Sequence, residues 1–452
     1  MDGSFRLKKG QKVDLTLFSM TWPVVIELLL TGLISTGSTY ILNRYSQEAV
    51  AVVGSLSQIV NLVINLYTII SVGGSVMLAP MVGAGKNEEA GKLIKTMLSA
   101  NLIFSVFVSL ITLACMGQFL DWMNIDPALH GMGREYLAAS LGLSLVQSLL
   151  ITYVAIFRSF GRMKDVLVCN LSVYLVCLVI NALINVGIPS PQQRLLYYTM
   201  AGIIGQACGV FYLHGQLNRF FWKQKKQEKL GAEEWRHYLA KILRFGTFGG
   251  MEGIFYLIIQ AMVVSMIGTL GTQTLLVKAY LTTFTGYMVI CDSALGTAVF
   301  PLTGQQLGER NFDGLRRTHR DGTFFGMVLT AAISLLLIFF SRPILLCFTG
   351  DDAVIKSVQF MLLIQMALEI IRVPVNLLVV GLKGVGEVRV PFAIMVAAGL
   401  LNLFLSWFFG IWLGMGLPGI WIGYFGDLIL RLAIGGPIML KILKNPQGHL
   451  DE

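Results

Sequence analysis

Twelve runs of predominantly apolar residues, each long enough to cross a lipid bilayer, constrain this chain more than any motif does. A span needs about 20 such residues, roughly 30 Å at 1.5 Å per residue. In the first half the runs lie near 17–42, 50–79, 97–119, 136–157, 166–187 and 196–218. In the second they lie near 242–267, 275–302, 323–341, 355–382, 391–413 and 417–440. Charged residues are 13% of the chain, against about 25% in a soluble domain, so lipid is the solvent this much apolar surface requires. Unpaired backbone groups in lipid cost several kcal/mol each, which leaves helices and closed barrels as the spanning forms. The runs lack the alternation of barrel strands. The expected fold is an all-α membrane protein with twelve transmembrane helices.

The twelve divide into two sets of six, because the second half repeats the first. In TWPVVIELLL, Pro23 stands four residues before Glu27; in GTFGGMEGIFYL, Glu252 stands 225 residues after Glu27. Arg158 and Gly161 of FRSFGR recur at the same offset as Lys383 and Gly386 of LKGVGE, and Gln147 falls on Arg372. VGAGKNEEAGKL recurs as QLGERNFDGL, with Gly85 on Gly308 and Asn87 on Asn311, offsets of 223 and 224 that imply a short slip. Each half holds an even number of spans, so the repeats are parallel, and transporters build substrate paths between such repeats. The expected organisation is an N-lobe over 1–219, a cytoplasmic linker over 220–241 and a C-lobe over 242–452. The linker, FFWKQKKQEKLGAEEWRHYLAK, has mixed charges that suit a solvated or interfacial helix.

A net charge of +9 could suggest nucleic acid, but its placement is topological. Of 34 Lys and Arg residues, five lie in the loops of one side (Arg44, Arg134, Arg194, Arg342 and Lys356) and three within spans (Lys278, Arg372 and Arg431). The rest lie on the other side, with both termini. The positive-inside rule makes that side cytoplasmic, the plasma (inner) membrane the expected site and nucleic acid an excluded partner. The first apolar run is too long for a signal peptide and lacks a clear cleavage site, so none is expected. The six cysteines show no CxxC spacing, and no metal site or disulfide framework is expected. A membrane-embedded enzyme would need clustered acids and histidines; His130, His214, His237, His319 and His449 form no motif. No GxxxxGK[ST] loop offers a site for ATP.

The paired loops GAGKNEEAGKLIK and GQQLGERNFDGLRRTHR, the pair FRSFGRMKD and LKGVGEVRVPF, and the segments TWPVVIELLL and YSQEAVAVVGS resemble the multidrug and toxic compound extrusion (MATE) family. The resemblance runs from about residue 14 to 442. It implies two six-helix lobes around a V-shaped cavity, and antiport: export of organic, often cationic compounds against inward Na⁺ or H⁺, with no bound cofactor. It implies a partner set of lipid bilayer and small organic molecules, with the protein acting as a monomer. A related architecture serves flippases for lipid-linked substrates, which is the alternative within transport. Three positions depart from the family. Where many bacterial members carry an aspartate in the first helix, seven residues before the YS segment, this chain has Ser38, followed by Thr39. A hydroxyl does not ionise there. Where some members carry an acid eleven residues before the RG-like turn of helix ten, this chain has Arg372. The helix-seven acid of some members aligns with Tyr256.

Ionisable groups at membrane depth cost about 2.5–3.5 kcal/mol each at a helix centre unless paired or hydrated, so each is a functional candidate. Asp427 and Arg431, four apart, can pair along one helix, as can Glu369 and Arg372, three apart. Lys278 lies near a helix end and can snorkel outward. Glu27 and Glu252 occupy one repeat-related position. The structural reading makes each an acceptor for a neighbouring helix; the functional reading makes each an ion or proton site. Tyr256 and Gln260 follow Glu252 at i+4 and i+8 on one face, and Asp292 is the next acid. In the N-lobe, Gln58, Asn61 and Asn65, and Asn181 and Asn185, form polar stripes read either as packing glue or as a polar lining with Ser38.

Overall fold

The computed structural model describes residues 13–45, 47–123, 125–187, 191–222, 230–346 and 348–444. Side chains are described over these ranges except at 13–15, 35–45, 47–51, 182, 184–187, 191–195 and 198. Among the described residues the chain is helical, with no strand. The first repeat holds α1 (Val13–Tyr45), α2 (Gln47–Gly83), α3 (Asn87–Ala114), the short α4 (Met116–Trp122), α5 (His130–Gly142), α6 (Ser144–Ser159), α7 (Met163–Gly187) and α8 (Pro191–Phe220). The second holds α9 (Ala232–Thr269), α10 (Thr272–Met288), α11 (Ile290–Gly308), α12 (Phe312–Phe339), the short α13 (Ser341–Leu346), α14 (Asp352–Gly384), α15 (Arg389–Leu405) and α16 (Gly416–Lys444). Large apolar side chains such as Phe211 at 76%, Phe324 at 72% and Phe339 at 80% exposure stand on the outside of these helices, a surface suited to lipid rather than water.

Eight helices are individually long and apolar enough to span a membrane, and two bent pairs bring the number to ten. The other two expected spans, 196–218 and 417–440, are the helices α8 and α16. The bends distinguish the repeats. The segment Pro127–Ser159 breaks by 40° at Leu143 between α5 and α6, whereas its counterpart 225 residues later, α14, runs unbroken. Conversely α2 is continuous, and its counterpart breaks by 44° at Val289 between α10 and α11.

Among the described residues, close packing divides the chain into two compact units, 26–250, and 251–444 with residues 13–25. Each unit thus takes up a piece of helix from the other repeat: the first half of α1 packs with the second unit, and α9 up to Gly250 with the first. The part of the 220–241 segment from Ala232 onward is helix continuous with the span that follows.

The turns fix the repeat register, and here the structure corrects the sequence alignment. α2 ends on Gly85 at φ 71°, with Gly85 N–H bonded to Val82 O and Lys86 N–H to Met81 O. α11 ends on Arg310 at φ 56°, with Arg310 N–H bonded to Leu307 O and Asn311 N–H to Gln306 O. Both are Schellman closures, whose left-handed residue is usually glycine. Gly85 therefore corresponds to Arg310 and Lys86 to Asn311, at the common offset of 225 with no slip. Gly161 and Gly386 close α6 and α14 in the same way.

In the first unit, a buried polar cluster ties α2, α3 and α6 together. Asn101 Nδ2 donates to Thr152 Oγ1 at 2.5 Å and to the Ser148 carbonyl at 3.3 Å. Tyr67 and Ser109 hydroxyls meet Ser144 at 2.7 and 3.1 Å. In lipid such bonds supply specificity that apolar contact alone does not.

Candidate functional site

The second unit encloses a cavity of about 410 Å³, within the size range of small-molecule sites. Its wall includes Glu252, Tyr256 and Gln260 from α9, Asp292 from α11, Arg372 and Asn376 from α14, and Tyr424, Asp427 and Arg431 from α16. The 3.6-residue period does this locally. Glu252, Tyr256 and Gln260 fall on one stripe, as do Arg372 and Asn376, and Asp427 and Arg431. Sequence reasoning placed these groups on separate helices; the packing of α14 against α11 and α16 converges them.

Three of the four acids at or beside the cavity are neutralised by a base. Arg431 Nη2 donates to Asp427 Oδ1 at 2.9 Å. Arg372 Nε lies 3.3 Å from Glu369 Oε2. Lys383 pairs with Glu252. Glu369, 1% exposed, sits behind the wall in a relay: Trp421 Nε1 donates to Gln365 Oε1 at 2.7 Å, and Gln365 Nε2 donates to Glu369 Oε1 at 2.5 Å. Tyr424 donates its hydroxyl to Gln260 Oε1 at 2.9 Å. Lys278 was expected to snorkel; its ammonium instead lies 5.0 Å over the Trp421 ring and 5.8 Å over Tyr424, a cation–π seat.

Asp292 differs from the other acids. It is 4% exposed and lies in the first turn of α11, just past the bend at Val289. Its described partner is neutral: Asn376 Nδ2 donates to Oδ1 at 3.0 Å and to the backbone carbonyl at 3.2 Å. Among the described residues no base lies within ion-pair distance. A helix N-terminus favours a negative charge there, and Asn376 supplies one donor.

In the first unit, Glu27 Oε1 accepts from Arg158 Nη2 and from Asn170 Nδ2, both at 2.8 Å. Arg158 and Lys383 are the repeat-related bases flagged by FRSFGR and LKGVGE, so each repeat pins its first helix to the end of its fourth span through one acid–base pair. Sequence showed both acids and both bases at the common offset, and that was the signal for pairing. Asn170, Asn376, Gln365, Trp421 and Tyr424 went unread as site residues, because only the fold brings them to charged partners. Of the N-lobe stripe, Gln58 and Asn61 are exposed, Asn65 turns back to the Asn61 carbonyl at 2.9 Å, and Asn181 is half-buried. The side chains of Ser38 and Asn185 lie outside the described residues.

A family model described as MatE matches residues 23–183 and 250–408. A Bacillus subtilis protein named uncharacterized transporter YisQ is 26% identical over 430 residues, covering 95% of this chain and 94% of its own. A Thermotoga maritima protein named probable multidrug resistance protein NorM is 21% identical, covering 92% of this chain and 89% of its own. Among solved structures, the Vibrio cholerae MATE transporter VcmN in its bent form superposes with a TM-score of 0.86 at 17% identity, covering 97% of this chain and 98% of that one.

Proposed function

The chain belongs to the MatE family, and from that premise we propose that it is a secondary active exporter of small organic compounds whose second unit carries both the cargo cavity and the coupling acid. It is an integral membrane transporter and not an enzyme. The observation that carries the proposal is Asp292: the one acid on the cavity wall that no described base neutralises. A permanently paired carboxylate gains little from taking up a cation. Asp292 changes the charge of the cavity by one unit when it loads or releases a proton.

Coupling requires that ion and cargo compete for one state or favour different ones. An inward cation supplies about 2.3 kcal/mol per 100 mV of membrane potential, plus its concentration gradient. A proton on Asp292 removes the charge that holds a cationic cargo, so loading from outside drives release. The surroundings favour H⁺ over Na⁺, since the described side-chain partner of Asp292 is an N–H donor, whereas Na⁺ needs several converging oxygens in place of its hydration shell. Arg372, at the position where some relatives carry an acid, adds to the same preference. Both termini are assigned to the cytoplasm, the membrane to the plasma (inner) membrane and the working unit to a monomer.

The test is efflux of a cationic dye from proteoliposomes under a proton gradient and, separately, a sodium gradient. The proposal expects the proton gradient to drive export and the sodium gradient to add nothing. Export driven by neither gradient would end it; export driven by Na⁺ alone would end its proton form.

A further inference from the structure

We propose that Arg372 forms an anion-recognising subsite in the second-unit cavity, so that the cargo carries a carboxylate or a similar planar anion beside its positive centre. The inference rests on the reading of this cavity as the cargo site. Arg372 has five N–H donors in a fixed fork. Its Nε lies 3.3 Å from Glu369 Oε2 as an ion pair that makes no aligned hydrogen bond, and Glu369 is itself fixed by the Gln365–Trp421 relay. The two terminal nitrogens of Arg372 have no described hydrogen-bond partner, on a side chain 28% exposed that lines the cavity. The other guanidinium on the wall, Arg431, is hydrogen-bonded to Asp427 through Nη2 and is less exposed, at 14%.

A pre-positioned fork with free terminal donors fits a carboxylate in the bidentate mode, which a point charge such as lysine reproduces poorly. Asp292 lines the same cavity from α11 and offers the opposite charge. The Glu252–Lys383 and Asp427–Arg431 pairs cancel on the wall, while Arg372, whose partner Glu369 lies behind the wall at 1% exposure, presents a positive end to the cavity and Asp292 a negative one. A cargo with both an anionic and a cationic group addresses both ends; a purely cationic one leaves the terminal donors of Arg372 unmet. Tyr256, 44% exposed on the wall, offers an aromatic face for the body of such an amphiphile.

The experiment compares tetramethylrhodamine, which bears a free carboxylate and a delocalised positive charge, with its methyl ester, which keeps the positive charge alone. Equilibrium binding is read by fluorescence anisotropy on purified protein in nanodiscs, at neutral pH and fixed salt, with no gradient. The expected result is about ten-fold tighter binding of the carboxylate dye by the wild-type protein. Arg372→Gln abolishes that preference by weakening the carboxylate dye alone, and Arg372→Lys falls between. Asp292→Asn weakens both dyes alike. Equal affinity of the wild type for the two dyes, absence of carboxylate-dye binding, or a preference that survives in folded Arg372→Gln protein overturns the proposal. If Arg372→Gln does not fold, the wild-type comparison and Arg372→Lys decide. Because no gradient is present, selective binding without driven efflux sinks the coupling reading and leaves this one standing; driven efflux without selectivity does the reverse.

Discussion

Glu252 and Asp292 show two uses of a carboxylate in one cavity wall. Glu252 is clasped by Lys383, as Glu27 is by Arg158, which makes these acids helix clasps before anything else. Glu252→Gln should therefore cost stability, about 2 kcal/mol, below the ~3–5 kcal/mol of a fully buried pair because both side chains keep some exposure. Adding Lys383→Met should recover most of that loss in a thermal melt. A Glu252→Gln protein that melts like the wild type would show that the clasp contributes nothing. Arg310 is a second residue-scale case. It holds a left-handed φ of 56° at a cost of roughly 1 kcal/mol for a side chain with a Cβ. Arg310→Gly should raise the melting temperature, and a drop would mean that the Arg310 side chain stabilises the turn by more than the strain it bears. Sequence revealed the ionisable residues but not their division of labour. Repeat pairing was legible at 27/252 and 158/383 because both partners carried charge. The neutral partners of Asp292 and Glu369, Asn376 and Gln365, were silent because amides inside an apolar helix look like packing residues until a charge is placed beside them.

Among elements, the register and the bends matter most. Periodicity and length located the helices, since apolar runs of this length leave little choice. The bend at Val289 was not legible, since no proline or glycine stands within two residues of it, and the one at Leu143 was missed although Gly142 and Ser144 flank it. The turn register was misread because Gly308 and Asn311 matched by residue type, whereas backbone geometry follows hydrogen bonds. Two helix crossings are testable. At Gly246 of α9, a Cβ would run into the Ile69 carbonyl of α2, and Gly250, four residues on, also meets Ile69. This is small-residue packing that lets backbones touch. Gly246→Leu should force the helices apart and cost more than ~2 kcal/mol, seen as loss of folded protein in size-exclusion profiles. In the α2–α3–α6 cluster, Asn101→Leu removes the amide that donates to Thr152 Oγ1 and the Ser148 carbonyl, leaving Thr152 its own bond to that carbonyl. It should cost about 1–3 kcal/mol, read as a lower melting temperature; an unchanged melt would show that the cluster is replaceable packing.

For the whole molecule, the two-repeat architecture was the most legible feature, carried by composition, the offset of 225 and the charge bias of the loops. The proposed orientation rests on that bias alone. A single cysteine placed at Asp313, beside Arg316, Arg317 and Arg320, should resist a membrane-impermeant thiol reagent in intact cells and react after permeabilisation; labelling in intact cells would invert the topology. The cavity itself was not legible, because its wall is drawn from five helices. The account turns on Asp292 as the group through which a proton gradient drives cargo. Its most direct measurement uses proteoliposomes containing wild-type or Asp292→Asn protein, with dye transport followed both as gradient-driven accumulation and as dye–dye exchange at saturating dye. The account predicts that Asp292→Asn keeps exchange and loses gradient-driven accumulation by at least about ten-fold, since an amide holds the cavity in its neutral, proton-loaded form. Accumulation by Asp292→Asn at the wild-type rate would contradict it.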